Sequence, residues 1–516
     1  MINRNKVAKE ESNRTEAAAR NLSVGLLNKF ILMGATFIVR TLFIRILGAE
    51  YTGISSLYSN ILSLLGLAEL GMGSVLTYEL YVPLQERDNE TVKMYVSLFR
   101  KIYLAVILAV TCAGIALIPF LRGITHSTLE NRYLILFYLL YLLDSIASYF
   151  VVYRTTVIEA DQKRYITQTV EIVSKLVMYL TQSVYLVLRH DFVGYLCIQV
   201  TFTVIRNVVL HQIAVNMYPF LRDKPTSKIE REKISKLFQN VRATFVTKLS
   251  TVVLTQTDSI IISALAGVIA VGYYSNYNMV VVYLNSFFSI AYYAIEASVG
   301  NLNAEQDYDK SYVMYKRLSL LFGIANAICV VGYLCIVQDF IGVWIGEEYI
   351  QAGGLVLSII FTFYVNESVT VITMYRQTLG LFKETKRIYP IMAIINIILS
   401  VILGKYLGVA GVVLATGLSR LATSFWYEGE VVFKRLGYPM GDYLKGQGGL
   451  AIFALVAALV SGGICNLISL KGIVAILLKA MIVGMVVLSL SWIAYGRSEE
   501  WKWGKAILVN RLKNKR

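Results

Sequence analysis

The chain has 516 residues, 56% of them hydrophobic and only 16% charged, with a mean hydropathy of +0.60. Soluble domains carry about a quarter charged residues, so this composition excludes a soluble multidomain enzyme and indicates a polytopic all-α membrane protein. The net charge of +16 would suggest nucleic acid in a soluble chain, but its distribution reads as membrane topology, and no nucleic-acid partner is expected.

Residues 1–21 carry too much charge for the apolar core of a signal peptide and read as a cytoplasmic tail. Apolar blocks then recur at the length needed to cross about 30 Å of hydrocarbon. Fourteen are expected: 22–46, 53–81, 102–121, 133–153, 166–188, 192–217, 241–266, 272–298, 318–337, 355–375, 388–404, 407–433, 447–469 and 472–494. Counting lysine and arginine tests the set. One side holds 36 of the 49, the opposite loops and span ends hold six, and seven lie within spans. That asymmetry places both termini in the cytoplasm.

The stretch Arg40–Pro83, RTLFIRILGAEYTGISSLYSNILSLLGLAELGMGSVLTYELYVP, joins the first two spans by a short turn yet carries Arg40, Arg45, Glu69 and Glu79. One charge at mid-bilayer costs about 2.5–3.5 kcal/mol even on lenient scales, so several together imply a polar interior. A weaker copy returns 219 residues later, where Lys29, Gly48, Gly53, Tyr58 and Asp88 match Lys248, Gly267, Gly272, Tyr277 and Asp307. The charged linker 219–240 separates the copies. The expected organisation is an N-lobe (22–218), a C-lobe (241–436), two extra helices (437–496) and a basic tail (497–516). Six spans per copy make the repeats parallel, two six-helix bundles around a central cavity.

Lys29, Thr36 and Arg40 share one face of the first span, and Lys248, Thr255 and Ser259 repeat that spacing beside Asp258. One reading makes both helices line the cavity with cations; the competing one lets the two lysines snorkel to the nearby surface. Arg206 and Arg420 lie mid-span in the sixth and twelfth spans and require a carboxylate, a watery lumen or an anionic ligand. Glu69, Glu79, Asp144, Glu296, Glu367 and Glu428 are the available acids, so structural ion pairing competes with cavity lining. Glu171 and Lys175, four apart on one helix, are expected to pair with each other. Tyr292–Tyr293 and similar tyrosines read either as sugar-stacking rings or as interfacial belts. The five cysteines and three histidines form no metal-ligand motif, and no nucleotide-binding loop occurs. No catalytic residue, metal or cofactor is assigned.

Four stretches carry a family resemblance: RTLFIRILGAEYTGISSLYSNILSLLGLAELGMGS from Arg40, TDSIIISALAGVIAVGYYSNYNMV from Thr257, YRQTLGLFKETKRIYP from Tyr375 and KYLGVAGVVLATGLSRLATSFWYEGEVVFK from Lys405. They resemble the polysaccharide-transport branch of the multidrug/oligosaccharidyl-lipid/polysaccharide exporter superfamily, the flippases of O-antigen and capsule repeat units. The resemblance implies a fourteen-helix protein whose two lobes form a V open to one side at a time. It implies movement of an undecaprenyl-diphosphate-linked oligosaccharide between leaflets of the bacterial plasma membrane. Arg40, Arg206, Arg420, Lys29 and Lys248 would hold the diphosphate. Asp258, Glu69, Glu79 and Glu367 are candidates for ion pairing or for coupling to H+ or Na+. Arg376 and Glu428 lie in matching stretches as gate or structural residues. A polymerase in the membrane is a candidate partner. The rival readings are a lipid II flippase or a cation-coupled multidrug exporter of the same superfamily and, more remotely, a membrane-embedded polymerase.

Overall fold

The computed structural model describes residues 2–66, 72–227 and 229–513, with backbone alone for 2–28, 74, 240, 242–244, 246–247 and 507–513. Glu69 lies outside the described residues. Every regular element among them is a helix. A helix satisfies its own backbone groups within one segment, which hydrocarbon demands of a spanning chain.

The chain begins with α1 (Ile2–Leu65), α2 (Met72–Glu86), α3 (Asn89–Leu117), the short α4 (Leu121–Thr125) and α5 (Asn131–Tyr149). It continues through α6 (Val152–Ala160), α7 (Arg164–Arg189), α8 (Phe192–Met217), α9 (Arg231–Ala266), α10 (Val268–Ala304) and α11 (Tyr308–Trp344). Next come α12 (Gly353–Ser368), α13 (Thr370–Thr378), α14 (Phe382–Thr385) and α15 (Ile388–Ala422). It ends with α16 (Ser424–Leu436), α17 (Met440–Asn466), α18 (Ile473–Tyr495) and α19 (Glu499–Lys513).

Among the described residues twelve helices are long and apolar enough to cross a membrane. One of them, Phe382–Leu436, contains the two spans 388–404 and 407–433 of the sequence reading, and another, Lys29–Leu65, covers most of 22–46 and the first part of 53–81. Within each, a glycine leaves helical geometry: Gly48 at φ 83°, ψ −172°, at the expected break, and Gly408 at φ 60°, ψ −141°, just inside the expected span 407–433.

Four of the five repeat-related pairs do the same work in both copies. Gly48 and Gly267 take positive φ of 83° and 82° where one helical leg hands over to the next, a conformation that L side chains disfavour. Gly53 and Gly272 face each other so closely that a Cβ on Gly53 would lie 1.8 Å from the Val268 carbonyl oxygen. One on Gly272 would lie 2.2 Å from the Ala49 carbonyl oxygen. Tyr58 and Tyr277 are fully buried. Tyr58 donates to the Leu134 carbonyl at 3.1 Å, and Tyr277 donates to Gln338 Oε1 at 2.6 Å. Asp88 and Asp307 cap α3 and α11, accepting from the amides of Thr91 at 3.0 Å and Lys310 at 3.1 Å. The fifth pair differs, Lys29 being half-buried and Lys248 exposed.

The chain forms two compact units, Met1–Gly272 and Tyr273–Arg516. In the first, α1 packs on α7 and on α9. Asn60 Nδ2 donates to Ser259 Oγ at 2.7 Å, so α9, which follows the charged linker in sequence, belongs by packing to the unit before it. Phe43, Tyr51, Phe137, Phe192 and Tyr195 knit its core, with the Phe137 and Phe192 rings 4.7 Å apart edge to face. In the second unit α11 packs against α12, α17 and α18, and α12 against α15. Lys479 of α18 bonds Asp339 of α11 at 2.5 Å, an intramembrane ion pair that ties a C-terminal helix to the core.

Candidate functional site

Two helices of the second unit break beside one polar cavity. The helix that would run from Gly353 to Thr378 is interrupted at Val369, between α12 and α13. Ser368 Oγ there turns back to donate to the Val365 carbonyl at 2.8 Å, and Thr370 Oγ1 donates to Glu367 Oε2 at 3.0 Å. α15 likewise ends at Thr423 (φ −126°, ψ −87°), whose hydroxyl donates to the Ser419 carbonyl at 2.6 Å. Hydroxyl side chains that bond nearby backbone compete with the helical ladder, and Ser368 and Thr423 place such bonds at the two breaks. Broken helices at membrane depth are tolerated where they line a polar cavity.

The cavity measures about 280 Å³ and is lined by Asn285, Ser289 and Tyr292 of α10, by Asn366, Glu367, Thr370 and Thr373 around the first break, and by Gln377 and Arg420. The Tyr292 hydroxyl donates to Gln377 Oε1 at 2.9 Å. Among the described residues the Arg420 side chain makes no direct ion pair or hydrogen bond, although the Glu428 and Glu367 carboxylates act on it electrostatically, and Glu367 accepts from a hydroxyl rather than from a cation. One guanidinium and one carboxylate thus share a small chamber with amides and hydroxyls, without closing on each other.

The neighbouring arginine is closed. Glu428, 1% exposed, lies 3.5 Å from Arg376 Nε, accepts from Thr373 Oγ1 at 2.8 Å and is also bonded by the Tyr389 hydroxyl. Arg376 Nη1 donates to Thr385 Oγ1 at 3.2 Å, and its guanidinium lies over the Phe382 and Tyr389 rings. This network fixes α13, α14 and α16 around the chamber and leaves Arg420 as the cavity-lining cation.

Of the residues singled out in the sequence, Arg420 and Glu367 come together here. Arg40, Arg206, Lys29, Lys248, Asp258 and Glu79 belong to the other unit. There Asp258 is 6% exposed and Glu79 accepts from the Tyr95 hydroxyl at 3.2 Å. Arg206 is half-buried and, among the described residues, forms no ion pair. Asp144 is taken by Gln199 at 2.7 Å and Thr203 at 2.6 Å. Glu171 and Lys175 pair at 2.6 Å, as their spacing predicts. Asn285, Asn366 and Gln377 escaped sequence reading. The available signal was an amide inside an otherwise apolar span, which is costly unless it finds a polar partner.

The profile of the polysaccharide biosynthesis protein family matches residues 18–295, more than half of the chain. The chain belongs to that family. No curated protein matches the chain in sequence. Among solved structures it is similar to the lipid II flippase MurJ in an inward closed conformation, at a TM-score of 0.63 and 16% identity, covering 91% of this chain and 98% of that one. An inward-facing multidrug-resistance MATE transporter of the MOP superfamily gives 0.62 at 12% identity, over 78% of this chain and 95% of that one. A MOP-superfamily transporter from Pyrococcus furiosus, whose binding pocket is described as reversed in polarity, gives 0.52 at 12%, over 83% and 97%. At these identities the likeness shows the fold alone. With the family it makes this chain a multi-pass membrane protein of polysaccharide biosynthesis built on the fold of those flippases and exporters.

Proposed function

We propose that the protein is a flippase for lipid-linked oligosaccharides, moving undecaprenyl-diphosphate-linked repeat units from the inner to the outer leaflet of the bacterial plasma membrane by alternating access. The observation that carries the reading is a family of polysaccharide biosynthesis expressed on the fold of flippases and exporters, with a chamber rich in amides and hydroxyls around Arg420. Hydroxyl-rich sugars need such hydrogen-bonding partners, and a diphosphate needs a cation not already neutralised. Arg40, Arg206, Lys29 and Lys248 are the further cations assigned to the diphosphate path. Glu367, which shares the chamber with Arg420, is the first candidate for coupling to H+ or Na+. Both termini face the cytoplasm in this reading, from the lysine and arginine count.

A deletion strain provides the test. Loss of surface polysaccharide, with complete single repeat units accumulating on undecaprenyl diphosphate at the inner leaflet, is the expected result. Their mass identifies the sugar. Normal surface glycan with altered drug sensitivity only would overturn the reading in favour of a drug exporter. Single units that reach the outer leaflet but never lengthen would indicate a polymerase.

A further inference from the structure

The two halves carry copies of one arginine in different company. Tyr153-Arg154 and Tyr375-Arg376 open similar stretches after corresponding spans. Arg376 is neutralised by a buried carboxylate, as described above. Arg154, on α6, instead donates its Nη1–H to His211 Nε2 of α8 at 3.1 Å, and its Nε, like that of Arg376, is buried without a hydrogen-bond partner. Among the described residues no carboxylate forms an ion pair with it. One turn before His211, Asn207 gives its Nδ2–H to the Ala147 carbonyl at 2.5 Å and keeps Oδ1 buried without a partner. An imidazole nitrogen that accepts this hydrogen bond is unprotonated, so the pair carries the single charge of the guanidinium, which no carboxylate offsets and which can take an anion.

The adjoining surface indicates the anion's attachment. A groove of about 490 Å³ runs between α5 and α8, walled by Leu143, Phe150, Val204 and Val208 and bordered by Asn207 and His211. Phe150 is 55% exposed and Val208 62%. A continuous apolar surface of this kind is at home against lipid chains. Arg154 begins one of the positively charged loops that the topology count assigns to the cytoplasmic face, the level at which basic pockets between helices take anionic headgroups.

We propose that the groove and the Arg154–His211 pair form a site for an anionic phospholipid, with an acyl chain in the groove and the phosphate on the guanidinium. A phospholipid fits better than the transported glycolipid headgroup. The walls are apolar, and they lack the cluster of amides and hydroxyls found around Arg420.

Native mass spectrometry of the purified full-length protein tests this, with phosphatidylglycerol and phosphatidylcholine titrated separately as probes. Phosphatidylglycerol adducts are expected to exceed phosphatidylcholine adducts by about fivefold, the factor for one basic contact to an anionic headgroup. The double variant Arg154→Gln/His211→Ala is expected to abolish that preference. Arg132→Gln, which removes an exposed partner of Glu130, is expected to leave it intact. Should the double variant not fold, Val208→Trp fills the groove with both basic groups in place and is expected to remove the adducts. Equal binding of the two lipids, or unchanged phosphatidylglycerol binding in a folded variant, would overturn the site. Preferential displacement of phosphatidylglycerol by equimolar undecaprenyl phosphate would overturn the phospholipid assignment and mark a substrate-loading groove instead.

Discussion

At the scale of single residues, two arginines of the second unit separate structure from function. Arg376 is spent on Glu428, and both are almost wholly buried. Removing one partner alone leaves a buried charge, which costs about 3–5 kcal/mol, whereas replacing both by apolar residues of similar volume is far milder. Glu428→Ala is therefore expected to lower the melting temperature of the solubilised protein sharply, and Arg376→Met/Glu428→Leu to restore most of it. Arg420 lines the chamber without a direct ion pair, and under the proposed function its loss is expected to fall on transport. Charge-assisted hydrogen bonds contribute about 1.5–3 kcal/mol. Arg420→Ala is expected to cut delivery of lipid-linked units by at least about tenfold with membrane abundance unchanged, measured as surface polysaccharide in a complemented deletion strain. Wild-type levels of glycan from that variant would remove Arg420 from the substrate path. Sequence alone ranked Arg420 with four other cations. It could not separate a satisfied charge from an available one, because partners 50 or so residues away are chosen by packing.

At the scale of elements, the internal repeat shows how the same local chemistry builds equivalent joints. Asp88 and Asp307 begin α3 and α11 as side-chain caps. Hydrogen bonds from Thr91 hold the Asp88 carboxyl below its ordinary value of 3.8, and Lys310 does the same for Asp307. A depressed carboxyl stabilises the folded form fully above 3.8, and that contribution fades as pH falls through the folded value. Hydrogen exchange at the Thr91 and Lys310 amides is accordingly expected to lose protection on acidification below about 3.8, and Asp88→Ala and Asp307→Ala to show the same loss at neutral pH. The joint at Gly53 and Gly272 leaves no room for a side chain. Gly53→Ala is expected to destabilise the protein by about 1–3 kcal/mol, the usual effect of overpacking a close contact. Gly34→Ala, in open space on the same helix, is the matched control. Equal melting temperatures for the two variants would show that the joint relaxes freely.

At the scale of the whole molecule, the distribution of positive charge makes a topological prediction independent of any side-chain contact. Cysteines introduced at Thr128 and Glu348, in a background lacking the native cysteines, are expected to react with an impermeant maleimide in intact cells. Cysteines at Asp309 and Glu384 are expected to react only after permeabilisation. The reverse pattern would invert the orientation and, with it, the leaflet assigned to Arg154. The two units also show that chain order and packing need not agree: α9 follows the charged linker yet packs on α1.

The sequence by itself determined the class of molecule, because crossing hydrocarbon requires long apolar helices that composition cannot disguise. It also determined the local joints, since a residue with positive φ, a helix cap or a glycine crossing is written in one or two positions. Gly48 falls at the break the pattern gave, and the matched Asp88 and Asp307 take the same capping place in their two helices. The tertiary structure alone decided which charges meet. Glu428 could have answered Arg206, Arg376 or Arg420, and the packing brings it within ion-pair distance of Arg376 while Arg420 stays on the chamber wall. Coulomb attraction is weakly directional and acts on whatever the helices bring within reach. The choice of partner is therefore a property of helix packing, which local sequence does not record.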